Sequence, residues 1–140
     1  MATIYDFKDG NGPVPAKQHL NGGGWVANTA HVRYAVYVGP NARVFGNARV
    51  FGYATVAGCA RVFANAQVYG DAKVSGNAKV YDDAEVSGDA RVSGNARVAG
   101  NAVVSGNAEV SGDAWVCGNA EVFGKAKLSG FTVLTTGKHN

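Results

Sequence analysis

Cysteine, proline, methionine and charged residues are all scarce in this chain. Among 140 residues there are 2 Cys, 3 Pro and 1 Met, and only 16% of the residues are charged. Cys59 and Cys117 belong to no CxxC motif, and the repeat described below places them too far apart for a disulfide. These features argue against a disulfide scaffold or a structural zinc site, and they indicate a reducing compartment.

Long apolar runs and catalytic motifs are also missing. No run of 18 apolar residues exists, and the N-terminus lacks a basic-then-apolar pattern, so we expect neither a membrane span nor a secretory leader. The net charge of +3 is too small to predict nucleic-acid binding. The sequence contains no GxSxG, P-loop or HExxH motif, and its three histidines form no Ser/His/Asp arrangement.

The chain is instead rich in one repeat of six residues. Every sixth position from Val26 to Val122 is Val, and Leu128 and Leu134 continue the series. Ala follows four residues later at nearly every repeat, and Gly-Asn or Gly-Asp pairs lie between. This spacing fits neither an amphipathic helix nor an alternating hairpin. We interpret each hexad as a short strand with an inward Val and a sharp corner, stacked so that the rungs share one core.

The repeat resembles the hexapeptide-repeat family, whose fold is a left-handed parallel β-helix of triangular cross-section. Three hexads make one coil in that fold, so residues 18 apart stack at about 4.8 Å. The resemblance predicts an all-β chain of about six coils over residues 26–136, with a C-terminal tail at 137–140. It also implies a homotrimer and leaves three roles open, since the family includes acyltransferases, cargo-binding modules and structural spikes.

Residues 1–25 break the repeat. An open β-helix end exposes unpaired strand edges, so we expect this segment to cap it. A second interpretation is that Lys17, His19, Asn21 and Trp25 surround glycines able to approach a phosphate closely. The stretch GPVPAKQHLNGGGWVANTA resembles the opening of short hexapeptide-repeat proteins of phages and bacteria.

One predicted face carries a column of cations (Arg43, Arg61, Lys79 and Arg97) beside a column of aromatic rings (Phe45, Phe63 and Tyr81). Like charges on neighbouring strands are destabilising, so the column requires an explanation. The cations could lie in solvent with their stems over the rings, or face Glu85, Glu109 or Glu121 of a second copy. They could also hold an anionic ligand whose ring stacks on Phe or Tyr.

We therefore predict a non-catalytic homotrimer, located in the cytoplasm, that holds a small anionic nucleotide-type ligand between its subunits. If the chain is phage-encoded, it would act in the host cytoplasm as a sponge that sequesters the ligand. We expect no cofactor, no metal site, and no membrane or nucleic-acid partner. The predicted ligand-binding residues are Trp25, Arg43, Phe45, Arg61, Phe63, Lys79, Tyr81, Arg97, Trp115, Lys17, His19, Asn21 and His31.

Two alternatives come from other functional classes. The first is an acyltransferase that uses an acyl-CoA donor and a histidine as general base, for which His31 is the candidate. The second is a structural spike or assembly module that binds only protein.

Overall fold

A computed structural model describes residues 3–140 and contains 22 strands, numbered here in chain order. All of the described secondary structure is β, so none of its elements is a helix that could cross a membrane. From β4 onward each strand is two residues long and ends with an aliphatic residue, except the last. This brevity follows from the six-residue repeat, which leaves four residues for each corner.

The strands form three sheets, one for each side of a triangular coil. The first sheet contains β1 (Ile4–Asp6), β2 (Pro13–Gln18), β3 (Trp25–Ala27), β6 (Arg43–Val44), β9 (Arg61–Val62), β12 (Lys79–Val80), β15 (Arg97–Val98), β18 (Trp115–Val116) and β21 (Val133–Leu134). The second contains β4 (His31–Val32), β7 (Arg49–Val50), β10 (Gln67–Val68), β13 (Glu85–Val86), β16 (Val103–Val104), β19 (Glu121–Val122) and β22 (Lys138–His139). The third contains β5 (Tyr37–Val38), β8 (Thr55–Val56), β11 (Lys73–Val74), β14 (Arg91–Val92), β17 (Glu109–Val110) and β20 (Lys127–Leu128).

The parallel pairing confirms the predicted coil. Val44 lies beside Val62, and Val62 beside Val80, so residues 18 apart stack in register. The aliphatic residues point inward and the alanines occupy the corners, with Val80 and Ala84 fully buried. The chain is therefore a β-solenoid of about six turns with one continuous Val–Ala core. The left-handed sense of the coil stays a prediction from the resemblance.

Glycine forms most corners because the backbone there is left-handed. Gly52 has φ of +68°, and a Cβ on it would lie 2.9 Å from the nitrogen of Gly70 in the next coil. Ala64 and Asp82 adopt the same conformation, with φ of 57° and 58°, although they carry side chains. These two corners are therefore strained relative to their glycine neighbours.

The N-terminal segment covers the first coil with antiparallel strands. Strand β1 pairs with β2, and β2 pairs with β3, so a hairpin extends the first sheet beyond the solenoid. At the other end, the predicted tail contains β22, which pairs with β19. Lys138 lies beside Glu121, so this last turn is one residue shorter than the 18-residue period. The pairing of β22 thus adds a strand to the second sheet beyond residue 136.

Candidate functional site

The aromatic column of the first sheet is a stack of rings. Phe45 lies 4.8 Å from Phe63, and Phe63 lies 5.0 Å from Tyr81, with the rings nearly parallel. Phe7 of the N-terminal segment stacks on Phe45 at 4.9 Å. Only 4% of Phe45 remains exposed as a result. The upper end of this column is therefore covered by the chain itself.

A second apolar cluster joins the N-terminal hairpin to the outside of the first sheet. Phe7, Ala16, Ala27 and Phe45 form its buried part. Tyr5 packs against it and stacks on the predicted ligand residue Trp25 at 4.6 Å. The hairpin thus stabilises the first coils through packing as well as through strand pairing.

The cation column likewise has one part that the N-terminal segment covers and one part that it leaves open. Arg43 donates its Nε–H to the Tyr5 hydroxyl at 2.7 Å, and its Nη1 donates to two carbonyl oxygens at 2.9 Å. Its side chain therefore binds the N-terminal segment through Tyr5. Arg97 lies over the Trp115 ring, 5.8 Å from its centre. Within residues 3–140 no carboxylate forms an ion pair with Arg61, Lys79 or Arg97. These three side chains are the part of the column that remains open to a partner or ligand.

The glycine-rich loop closes the third sheet. His19 is 7% exposed, and its Nε2–H donates to the carbonyl of Val36 at 2.7 Å. The amide of Gly24 donates to the carbonyl of Val38, and the amide of Val38 donates to the carbonyl of Asn21, both at 2.9 Å. These polar groups already have hydrogen-bond partners in the cap and the first coil. His19 and Asn21 were both predicted as ligand residues. His19 instead bonds the main chain of Val36 through its side chain, and Asn21 bonds the main chain of Val38 through its own main-chain carbonyl.

The other two predicted residues of this region line a concavity. Lys17 and His31 face it together with Arg33, Arg49 and the ring of Phe51. Its volume is about 670 Å³, within the range of small-molecule sites. The remaining lining residues are Asn28, Ala30, Val32 and Val50, so no carboxylate is among them. The charged side chains that line this concavity are therefore all cations.

A second concavity of about 410 Å³ lies beside the first and shares Arg33 and Phe51 with it. Tyr34 and Tyr53 line its outer side and are 80% and 75% exposed. We call the two together the basic cleft: its inner half is cationic and its outer half is aromatic. Such a surface is suited to a ligand with an anionic end and a planar end.

Sequence reasoning missed Arg33, Arg49, Phe51, Tyr34 and Tyr53 as site residues. A signal for them is present in the sequence, because no Asp or Glu occurs between Asp9 and Asp71. That interval contains five cations, namely Lys17, Arg33, Arg43, Arg49 and Arg61. The first coils therefore produce a positive field that no acidic side chain of the same coils offsets.

The fold and the repeat define the class: the chain is a repeat-based parallel β-helix protein. Comparison with known families adds a particular likeness. The sequence model described as YdcK Beta solenoid repeat matches residues 42–58, 66–82 and 90–106. No curated protein and no solved structure matches the chain. The predicted resemblance to hexapeptide-repeat proteins is confirmed at the level of the fold.

Proposed function

We propose that the protein is a non-catalytic binding protein for a small anionic, partly aromatic ligand of the nucleotide type. The observation that carries the proposal is the basic cleft, where Lys17, Arg33 and Arg49 converge with no carboxylate among the lining residues. A phosphate on these cations would form charge-assisted hydrogen bonds, about twice as strong as neutral ones.

The ligand's planar part fits the aromatic half of the basic cleft. Phe51 borders both concavities, and Tyr34 and Tyr53 stand exposed beyond it. A base stacked on such rings contributes about 1–3 kcal/mol in single-stranded nucleic-acid complexes. A nucleotide would therefore occupy both halves, whereas inorganic phosphate would use only the cationic half.

The proposal includes a homotrimer whose subunits close the cleft from outside. Two exposed tyrosines at one corner, Tyr34 and Tyr53, form an aromatic surface of the kind that partners cover. Closed cyclic symmetry is the normal outcome for soluble oligomers. In this arrangement a bound ligand would be sequestered from solvent, and a phage-encoded chain would act as a sponge in the host cytoplasm.

Calorimetric titration tests this function directly. The panel consists of mono-, di- and cyclic nucleotides, with inorganic phosphate as the ring-free reference. We expect Arg49→Glu to abolish nucleotide binding, because it removes one cation and adds a repulsive charge. Lys73→Glu is the matched control on the third sheet, and we expect it to leave affinity unchanged. Binding of no nucleotide, or equal loss in both variants, would contradict the proposal.

A second candidate, acyl transfer, is favoured by one observation: the exposed imidazole of His31 lies in the basic cleft. The carboxylate that would orient such a base is missing from the cleft lining. Acetyl transfer from acetyl-coenzyme A that disappears in His31→Ala would establish this function. Nucleotide binding without turnover would support the non-catalytic role.

A further inference from the structure

The N-terminal cap covers the edges of some sheets of the first coil with hydrogen bonds and leaves another edge uncovered. In a parallel sheet the N–H and C=O of one residue point to the same neighbouring strand. On the first sheet, β3 is paired with β2. On the third sheet, the N–H and C=O of Val38 bond Asn21 and Gly24, and the C=O of Val36 bonds His19. Both of these edges are therefore fully covered.

The second sheet begins at β4, and β4 pairs only with β7. The amides of His31 and Arg33 donate toward β7, to Ala48 and Val50. The alternate groups point away from the solenoid: the C=O of Ala30 and the N–H and C=O of Val32. Within residues 3–140 no hydrogen bond reaches these three groups. Strand β4 is thus the one strand of the first coil whose outer edge the described chain leaves unpaired, while in the added hairpin β1 also has a free outer edge.

This open edge forms the floor of the basic cleft. Ala30 and Val32 line the larger concavity, with Lys17, Arg33 and Arg49 around them. The Val32 side chain is only partly buried, whereas its counterpart Val50 in the next coil is fully buried. The floor therefore offers two acceptors, one donor and an apolar surface, surrounded by positive charge.

We propose that this edge binds an extended acidic segment of a partner protein by adding it as a strand to the second sheet. The main-chain pattern is acceptor, donor, acceptor, which an extended peptide complements with an N–H, a C=O and the next N–H. The two carbonyls belong to residues two apart, so they lie about 6.6 Å from one another along the strand. That span matches a peptide and exceeds the edge of a single nucleobase.

The alternation of a strand also predicts the side chains of the partner segment. A residue stacked over Val32 points inward and needs an aliphatic side chain, by analogy with every deeper coil. Its two neighbours stack over His31 and Arg33 and point outward, close to Arg49 and Lys17. Carboxylates at these two positions match the surrounding cations. The recognised pattern is therefore acidic–aliphatic–acidic.

A second copy of this chain fits the edge less well than a separate partner. The opposite end of the solenoid presents Lys138 on β22, which pairs with Glu121 at 3.9 Å, and Lys127 on β20, which has no ion-pair partner within residues 3–140 and would meet the cations of the cleft as a like charge. Self-association through this edge is consequently not the expected outcome.

Fluorescence anisotropy with a labelled, end-blocked hexapeptide of alternating glutamate and valine tests the inference. We expect saturable binding to the full-length protein that weakens about tenfold or more in Arg33→Glu. Lys73→Glu should bind like the unchanged protein. The decisive reagent is the same peptide N-methylated at its glutamates, the residues whose N–H groups would face the edge. It keeps its charge but loses these N–H donors. It should not bind.

Amide hydrogen exchange supplies the structural readout, because peptide binding should slow exchange at Val32 and leave Gln67 unchanged. Equal binding of the N-methylated peptide would overturn strand addition, as would the absence of peptide binding. Concentration-dependent self-association that blocks the peptide would show that a second copy occupies the edge, and would also overturn it. Nucleotide binding without peptide binding leaves the proposed function standing, whereas peptide binding without nucleotide binding refutes only that function.

Discussion

The first coils and the last coils of this solenoid share one core but differ on their surface. From residue 10 to residue 70 the chain has cations and no Asp or Glu, whereas residues 71–140 contain eight acids and seven bases. The stacked ring pairs, the aromatic cap and the basic cleft all involve residues before 82. Beyond that point the outward residue that follows each core Val or Leu is Ser on the second and third sheets, except at Phe123.

This difference indicates that the repeat specifies a common scaffold, and that charged and aromatic surfaces are added to it locally. Apart from the partly buried residues at its two ends, the Val–Ala core is equally buried in both regions, so burial alone cannot distinguish them. Charge imbalance and uncovered aromatic surface do distinguish them, and both favour the N-terminal coils for the binding function that we propose.

The largest expected effect falls on the part that the two regions share. Val80→Asp places an unpaired carboxylate in the fully buried column, so we expect loss of the cooperative fold. Ser93→Lys, at an outward position, should change the free energy of unfolding by about 0.5 kcal/mol or less. Thermal denaturation followed by circular dichroism measures both. A Val80→Asp protein that melts like the unchanged chain would contradict the core assignment.

The next effect separates the regions. Phe45→Ala removes a ring held between Phe7 and Phe63, and we expect it to cost about 3–5 kcal/mol. Phe123→Ala is the matched control in the last coils, where the ring is only partly buried, and its cost should be much smaller. Urea denaturation gives both values. Equal costs would mean that the N-terminal hairpin does not pack on the first sheet.

A smaller loss is expected from the capping loop. Gly24→Ala would place a Cβ 2.3 Å from the carbonyl oxygen of Gly39, so we expect a cost of about 1–3 kcal/mol from overpacking. Gly23→Ala meets no atom within 4 Å, and its positive φ should cost about 1 kcal/mol. If Gly23→Ala were the more harmful of the two, the close packing of this loop on the third sheet would be wrong.

The smallest effect concerns the strained corners. Ala64 has a φ of 57°, so Ala64→Gly should relieve strain and raise the free energy of unfolding by up to about 1 kcal/mol. Asp82→Gly should gain less, because the Asp82 carboxylate accepts a hydrogen bond from the amide of Gly100 at 3.2 Å. Paired urea titrations compare the two variants, and a larger gain for Asp82→Gly would refute this ranking.

Much of the fold could be predicted from the sequence because the repeat is regular and each Val has one inward direction. The stacked short strands and their Val–Ala core followed from the six-residue spacing, whereas the register of 18 residues per coil followed from the resemblance to hexapeptide-repeat proteins. The pairing of β1 and β2 could not be predicted in the same way, since residues 1–25 lack the repeat and their partners are set by tertiary contacts. Arg43 and Phe45 consequently looked like exposed ligand residues, whereas Tyr5 and Phe7 contact them in the structure.

The candidate site was predicted only in part. Lys17 and His31 were identified and line the basic cleft, but Arg33 and Arg49 were not assigned to a site. The six-residue period sorts residues into columns along each face. The cleft instead depends on where the cap stops, which leaves β4 uncovered, and that boundary has no periodic signal.

The central claim is that the first coils bind the ligand and the later coils only support them. Deletion of residues 90–107 removes one period of 18 residues and joins Asp89 to Ala108 in register. The new neighbours include Lys73 beside Glu109, which attract, and Glu85 beside Glu121, which repel weakly. We expect this shortened protein to fold.

Calorimetric titration of the shortened protein and the full chain with the same nucleotide panel is the most direct measurement. We predict that one nucleotide class binds both proteins with equal Kd, and that Arg49→Glu abolishes this binding in both. A folded shortened protein that has lost binding, or a full chain that binds no nucleotide, would contradict it.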